Sequence, residues 1–140
     1  MKETDLAYIA GIIDGEGYIF APCYKYGDKQ HYGVTVGLEM ADEIIPRWIQ
    51  SCFGGKVYRR EYQNTKFKPI FIWHCPRSVA EHFLHSIYPY LILKKPHAEV
   101  AFRIWASKPA WKWSTSSSRA IQEAEAILMR QLNRKGRGKK

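Results

Sequence analysis

Residues 6–17 read Leu6-Ala7-Tyr8-Ile9-Ala10-Gly11-Ile12-Ile13-Asp14-Gly15-Glu16-Gly17, an apolar helix that runs straight into a pair of acids. Ala7, Gly11 and Gly15 recur every four residues, so small side chains line one helical face. Leu6, Ile9, Ile12 and Ile13 supply bulk elsewhere, which makes the helix apolar nearly all round and predicts its burial. Glycine inside a helix costs about 1 kcal/mol against alanine, and close approach of a second helix is the reason such a stripe would exist. Asp14 and Glu16 then sit where the helix dipole is negative. Acids in that place predict a cation joining them.

The rest of the 140-residue chain is what a basic partner of a polyanion looks like. It carries 22 Lys+Arg against 13 Asp+Glu, a net charge of +9, and its aromatics make up 14% of the residues. Basic residues interleaved with aromatics favour nucleic acid over a merely solvated surface. Cys23, Cys52 and Cys75 are an odd set with no Cys-x-x-Cys spacing, which argues against a disulfide framework or zinc site and for a reducing compartment. The charged start Met1-Lys2-Glu3-Thr4-Asp5 is not a signal peptide, and no apolar run approaches the ~18 residues of a membrane span. The expectation is an intracellular protein of an organelle (chloroplast or mitochondrion) or a prokaryotic cytoplasm, with no membrane partner.

Thr4 or Asp5 can cap the first helix, over residues 5–14. Residues 18–26 alternate, and residues 31–39 answer around the turn Gly27-Asp28-Lys29-Gln30. Tyr32, Val34, Val36 and Leu38 face a core; Tyr24, Tyr26, His31, Thr35 and Glu39 face away, with Gly33 and Gly37 letting backbone or water approach. A second helix follows from Ala41-Asp42-Glu43, carries Ile44, Ile45, Trp48, Ile49 and Phe53, and ends at Gly54-Gly55. A second hairpin pairs Lys56–Tyr62 with Phe67–Cys75, whose ambiguous parity assigns Trp73 to neither face in particular. A third helix, capped by Ser78, holds Val79, Phe83, Leu84 and Ile87. A fourth spans about 96–107, Lys108–Ser118 is loop, and a last amphipathic helix runs 118–133. The order is α-β-β-α-β-β-α plus C-terminal helices, an α+β domain over 1–133 with a basic, disordered tail at 134–140.

Ile9-Ala10-Gly11-Ile12-Ile13-Asp14-Gly15-Glu16-Gly17 resembles the motif of the LAGLIDADG homing endonucleases, and the element order over residues 5–88 matches that family's core. The resemblance implies a four-stranded antiparallel saddle sheet facing DNA, with helices on its other face. It also implies that a chain with one motif acts as a homodimer, with Ala7, Gly11 and Asp14 at a twofold interface. Glu16 would carry the catalytic, metal-binding carboxylate and the Gly15 carbonyl would add a ligand. Oxygen donors suit Mg²⁺, with Mn²⁺ or Ca²⁺ able to take the site in crystals, and no small-molecule cofactor is implied. Asp14 is read first as a hydrogen-bond acceptor holding the helix end, ahead of metal ligation. Lys94 matches the family's active-site lysine.

Asp42 stands where relatives often place a water-orienting glutamine, and serves either as base, or as a group hydrogen-bonded behind the metal's own ligands, or as a cap of the second helix. Pro46 stands where a basic residue is common; Arg47 either substitutes or that contact is missing. Tyr24, Tyr26, His31 and Thr35, with Tyr58, Arg60, Lys66 and Lys68, are the expected contacts to double-stranded DNA, arginine to guanine and lysine to phosphate. Partial core packing competes for Tyr24 and Tyr26. Trp111 and Trp113 stack on the protein or touch flanking DNA, and the tail adds salt-sensitive phosphate contacts. His82 and His85, at i and i+3, lack a third ligand and read as surface.

The expected activity is cleavage of both strands of a long, near-palindromic site, leaving 3′ overhangs. Two other functions fit the same fold. An intron-RNA maturase would favour a degraded acid, whereas Glu16 is intact; a non-catalytic DNA-binding regulator would carry a further DNA-binding domain.

Overall fold

The structure, a computed structural model, describes residues 1–64, 66–108 and 116–134. In chain order the helices are α1 (Glu3–Glu16), α2 (Ile44–Phe53), α3 (Arg77–Ile87), α4 (Lys95–Ala106) and α5 (Ser116–Arg134). The strands are β1 (Gly17–Phe20), β2 (Cys23–Tyr26), β3 (Lys29–Tyr32), β4 (Thr35–Met40), β5 (Lys56–Arg60) and β6 (Ile70–His74). β1-β4-β6-β5 form a four-stranded sheet and β2-β3 a two-stranded ribbon. The α+β class and the four-stranded sheet are as expected. Two compact units result, Met1–Tyr18 with Val36–Leu93, and Ile19–Thr35 with Lys94–Lys140.

The expected first hairpin is subdivided. Pro22, which has no N–H to give a ladder, separates β1 from β2, and Gly33-Val34 separate β3 from β4. Gly33 N–H donates to the Pro22 carbonyl at 3.1 Å, closing the paired breaks.

In the first unit α1 begins earlier than expected. Lys2 precedes it, and Asp5, three residues in, accepts the Lys2 backbone N–H at 3.3 Å rather than capping the helix itself. Ile9, Ala10 and Ile13 are buried, with α1 packed on α3 and on a 3-10 turn at Tyr88–Tyr90. Ala7, Tyr8, Gly11 and Gly15 are exposed, so burial all round does not hold within one chain, which covers only the isoleucine side. The helix passes into β1 without a loop. A Cβ on Gly17 would lie 2.8 Å from the Ile13 carbonyl oxygen, so only glycine fits that junction.

β4 and β6 pair antiparallel with Leu38 opposite Trp73, and β6 pairs with β5 through Val57 opposite Trp73. Trp73 is fully buried, its ring 5.0 Å from that of Phe83, and its Nε1–H donates to the Gly54 carbonyl at 2.9 Å. That settles the parity of β6: Phe71 and Trp73 belong to the core face, Ile70, Ile72 and His74 to the other. Gly54 and Gly55 adopt φ of 80° and 95°, which lets α2 turn directly into β5.

In the second unit Tyr32 is buried against α5, and its backbone N–H donates to Oε1 of the fully buried Gln122 at 3.1 Å. α4 and α5 pack through Ala101, Ile104, Ala126 and Met129, with Arg103 Nε 2.9 Å from Glu125 Oε1. Asn133 Nδ2 donates to the Ile19 carbonyl at 3.1 Å, holding the end of α5. Trp111, Trp113 and the tail beyond Arg134 lie outside the described residues. Among the described residues no helix is long and apolar enough to cross a membrane.

Candidate functional site

The last turn of α1 sorts its two acids. Asp14 Oδ2 accepts the Ile92 backbone N–H at 2.8 Å, tying the helix end to the segment after the 3-10 turn. This is the first-ranked reading of Asp14. Glu16 ends the helix, exposed, with no hydrogen bond or ion pair to any described residue. Gly15 beside it is exposed, in the turn whose carbonyls lack helical partners. A carboxylate and backbone carbonyls are oxygen donors only, which fits a hard divalent cation that keeps its waters and excludes a zinc cage. Among the described residues no three His, Cys, Asp or Glu side chains gather around a point.

Asp42 Oδ1 accepts the Ile44 N–H at 2.8 Å, so of its two roles the helix-start role has an observed bond. Pro46 is buried in the first turn of α2, and the neighbouring Arg47 is exposed, 3.6 Å from Glu43. In the second unit Lys94 immediately precedes α4, half-buried, its carbonyl accepting the Ala98 N–H at 3.0 Å. His82 and His85 are both exposed, as expected.

The register of the four-stranded sheet places Glu39, Ile72 and Tyr58 in one row on the face away from the core, with Gly37, His74 and Lys56 in the next. Arg60 pairs with Ile70 on the same face. Tyr18 lies over Gly37, where a Cβ would sit 2.5 Å from its hydroxyl and 2.6 Å from the Trp73 carbonyl. Gly37 therefore admits a side chain from the neighbouring strand rather than water. Arg60 Nη2 lies 3.6 Å from Glu39 Oε1. Burial, and then the Glu39 carboxylate, hold the Tyr18 phenol above its ordinary 10.0, with the Arg60 guanidinium pulling it down. Tyr18 is thus a hydroxyl donor at neutral pH.

Tyr58 and Arg60 occupy the open face as expected. Lys66 and Lys68 do not lie on a strand: β5 ends at Arg60 and β6 begins at Ile70, so both lysines are exposed in the connection. The strands are shorter because Pro69 precedes β6 and cannot enter its ladder. Tyr18, Lys56 and Ile72 lie on the same face and were not among the residues singled out from the sequence.

On the ribbon, Tyr24 pairs with His31 and Tyr26 with Lys29, all on the face opposite the buried Tyr32. Tyr24 is 39% and Tyr26 68% exposed, so neither is a core residue. The Tyr24 ring lies against Gly33, where a Cβ would approach it to 3.0 Å, and the Tyr26 ring meets His31 edge-on at 5.4 Å. Thr35, at the start of β4, is half-buried.

No protein-family model and no curated protein sequence matches the chain. Solved structures do. It resembles the homing endonuclease I-CvuI, in complex with its target in the presence of calcium, with a TM-score of 0.69 and 23% identity over 99% of this chain and 85% of that one. It resembles the LAGLIDADG homing endonuclease I-GzeII, in complex with its DNA target, with a TM-score of 0.66 and 19% identity over 89% of this chain but 43% of that one. A third likeness is to the archaeal intron-encoded homing endonuclease I-Vdi141I, complexed with DNA, at a TM-score of 0.57 and 13% identity over 91% of this chain and 99% of that one. The chain has the LAGLIDADG homing endonuclease fold, the fold implied by residues 9–17.

Proposed function

We propose that this protein is a divalent-metal-dependent, site-specific DNA endonuclease acting as a homodimer on a long, near-palindromic site. The observation that carries the proposal is Glu16. An exposed carboxylate that bonds to no described residue, held at the end of a helix whose neighbouring acid Asp14 is anchored, is built to ligate something else. The basic, aromatic sheet face and ribbon support DNA as the substrate.

Glu16, with the Gly15 carbonyl, would hold the cation, Mg²⁺ in this reading. When bound, such a cation supplies Lewis acidity for water activation and for the leaving 3′ oxygen. Asp14 keeps the helix end fixed through Ile92. Lys94 would offset the negative charge that builds on the attacked phosphate. Asp42 either acts as a proton acceptor or only starts α2, and its bond to Ile44 favours the second role. Cleavage would leave 3′ overhangs.

One observation supports the homodimer. Ala7 and Gly11 are exposed, and a Cβ on Gly11 or Gly15 would meet nothing within 4 Å, so a second α1 can approach that face. Incubation of purified protein with a randomised palindromic DNA library and Mg²⁺ tests the reading; absence of Mg²⁺-dependent cutting overturns it. Sedimentation as a monomer at micromolar concentration with DNA present overturns the homodimer.

A further inference from the structure

Arg60 and Glu39 form an ion pair across the open sheet face that stability does not explain. They lie on β5 and β4 with β6 between them, so the Arg60 side chain crosses a whole strand, over the row that holds Ile72, to reach the carboxylate. Their side chains remain 51% and 41% exposed, and ion pairs so open to water contribute little to folding. At 3.6 Å the pair is too long for a firm hydrogen bond, so the guanidinium donors and the carboxylate lone pairs stay available. A carboxylate in the middle of a basic face also repels phosphate. Its presence points to a partner atom that donates.

We propose that Arg60 and Glu39 together read one G·C base pair of the target, Arg60 on guanine O6 and N7 and Glu39 on the 4-amino group of the paired cytosine. The inference rests on the endonuclease reading and deepens it to a base identity. The major-groove edge of G·C offers two acceptors and then a donor, in the order the guanidinium and carboxylate require. An A·T edge places the adenine amino group against the second guanidinium N–H and the thymine O4 against the carboxylate. Both mismatches repel, so the pair rejects A·T as well as accepting G·C.

Selection of bound sequences from randomised double-stranded DNA, without added divalent cation, tests this with the wild-type protein, Arg60→Ala and Glu39→Gln. The wild type should enrich a motif with one position in each half-site fixed as G·C. Arg60→Ala should flatten that position alone, with a loss of guanine preference on the order of tenfold to a hundredfold. Glu39→Gln should weaken the rejection of A·T at the same pair, because a glutamine amide N–H can donate to the thymine O4 that the carboxylate repels. An unchanged motif in both variants, or an equal weakening on every sequence, overturns the proposal. A wild-type protein that enriches no sequence at all overturns the endonuclease reading instead, a different result. Both side chains are exposed, and circular dichroism of the variants confirms that folding is intact.

Discussion

The Asp14 carboxylate and the Ile92 backbone N–H, 78 residues apart in sequence, meet at 2.8 Å. This bond fixes the end of α1 against the segment that leads to Lys94. Asp14→Ala removes a charge-assisted bond at a partly exposed site and should cost about 1–2 kcal/mol, with Asp14→Asn restoring part of it. Urea denaturation checks this: equal midpoints for wild type and Asp14→Ala would show that the bond does not hold the helix end.

Glu16 predicts the opposite balance. Because its carboxylate bonds to no described residue, Glu16→Gln should leave stability within about 0.5 kcal/mol of wild type. DNA binding should survive and strand cleavage should be abolished, measured by gel shift and by nicking of a selected target. Loss of binding together with cleavage would assign Glu16 a structural role.

Gly37 separates packing from chemistry. Gly37→Ala drives a methyl into the Tyr18 hydroxyl and the Trp73 carbonyl and should destabilise by about 1–3 kcal/mol. Adding Tyr18→Phe removes the hydroxyl but leaves the ring carbon Cζ at 2.7 Å and the Trp73 carbonyl at 2.6 Å, so the double variant should recover only part of the loss in chemical denaturation. Full recovery would mean that both the ring and the Trp73 backbone yield.

Alkaline pH should weaken the fold. Burial pushes the Cys75 thiol from 9.0 up to about 12. The folded chain therefore holds a proton that the unfolded chain releases, so stability is complete below about 9 and is lost as pH rises toward 12. Burial raises the Tyr18 phenol, and burial with the neighbouring Cys23 thiol raises that of Tyr32, so both act in the same direction above 10.0. The urea midpoint should fall between about pH 8 and about pH 10.5, and Cys75→Val should flatten the fall. A flat profile in the wild type would contradict the burial of these groups.

Gln122 is the buried polar pin of the second unit. Gln122→Leu leaves the Tyr32 N–H without its acceptor and should cost about 1–3 kcal/mol. Hydrogen exchange at the Tyr32 amide should speed up accordingly; unchanged protection would show another acceptor taking over.

The alternation Tyr32-Val34-Val36-Leu38 was readable because a period of two with one apolar face has a single solution, and all four side chains are buried. The turn at Gly54-Gly55 was readable because a positive φ selects glycine. Ile70-Phe71-Ile72-Trp73 carries no polar residue to mark its outer face, and only pairing with β4 and β5 reveals its parity. The breaks at Pro22 and Gly33 stood in plain sight, but continuous alternation across them outweighed the missing proline donor. Exposure of Ala7, Tyr8 and Gly11 was hidden because composition tells that a helix wants cover, not which chain provides it. At the site, Glu16 and Asp14 were separable by their places in the motif. Glu39 and Arg60 were not recognisable as a pair, since their proximity depends on a strand order that sequence neighbours do not display.

Within four residues, the end of α1 and the start of β1 carry one acid stitched into the fold, one acid bonded to no described residue, and one glycine pressed on a carbonyl. Selection for a folded protein alone would preserve Asp14 and Gly17 and be blind to position 16. If Glu16 is the cutting acid we propose, a lineage released from cutting would lose it first of the three and keep its fold. Position 16 is thus a gauge of whether cutting is still under selection, independent of whether the protein still folds.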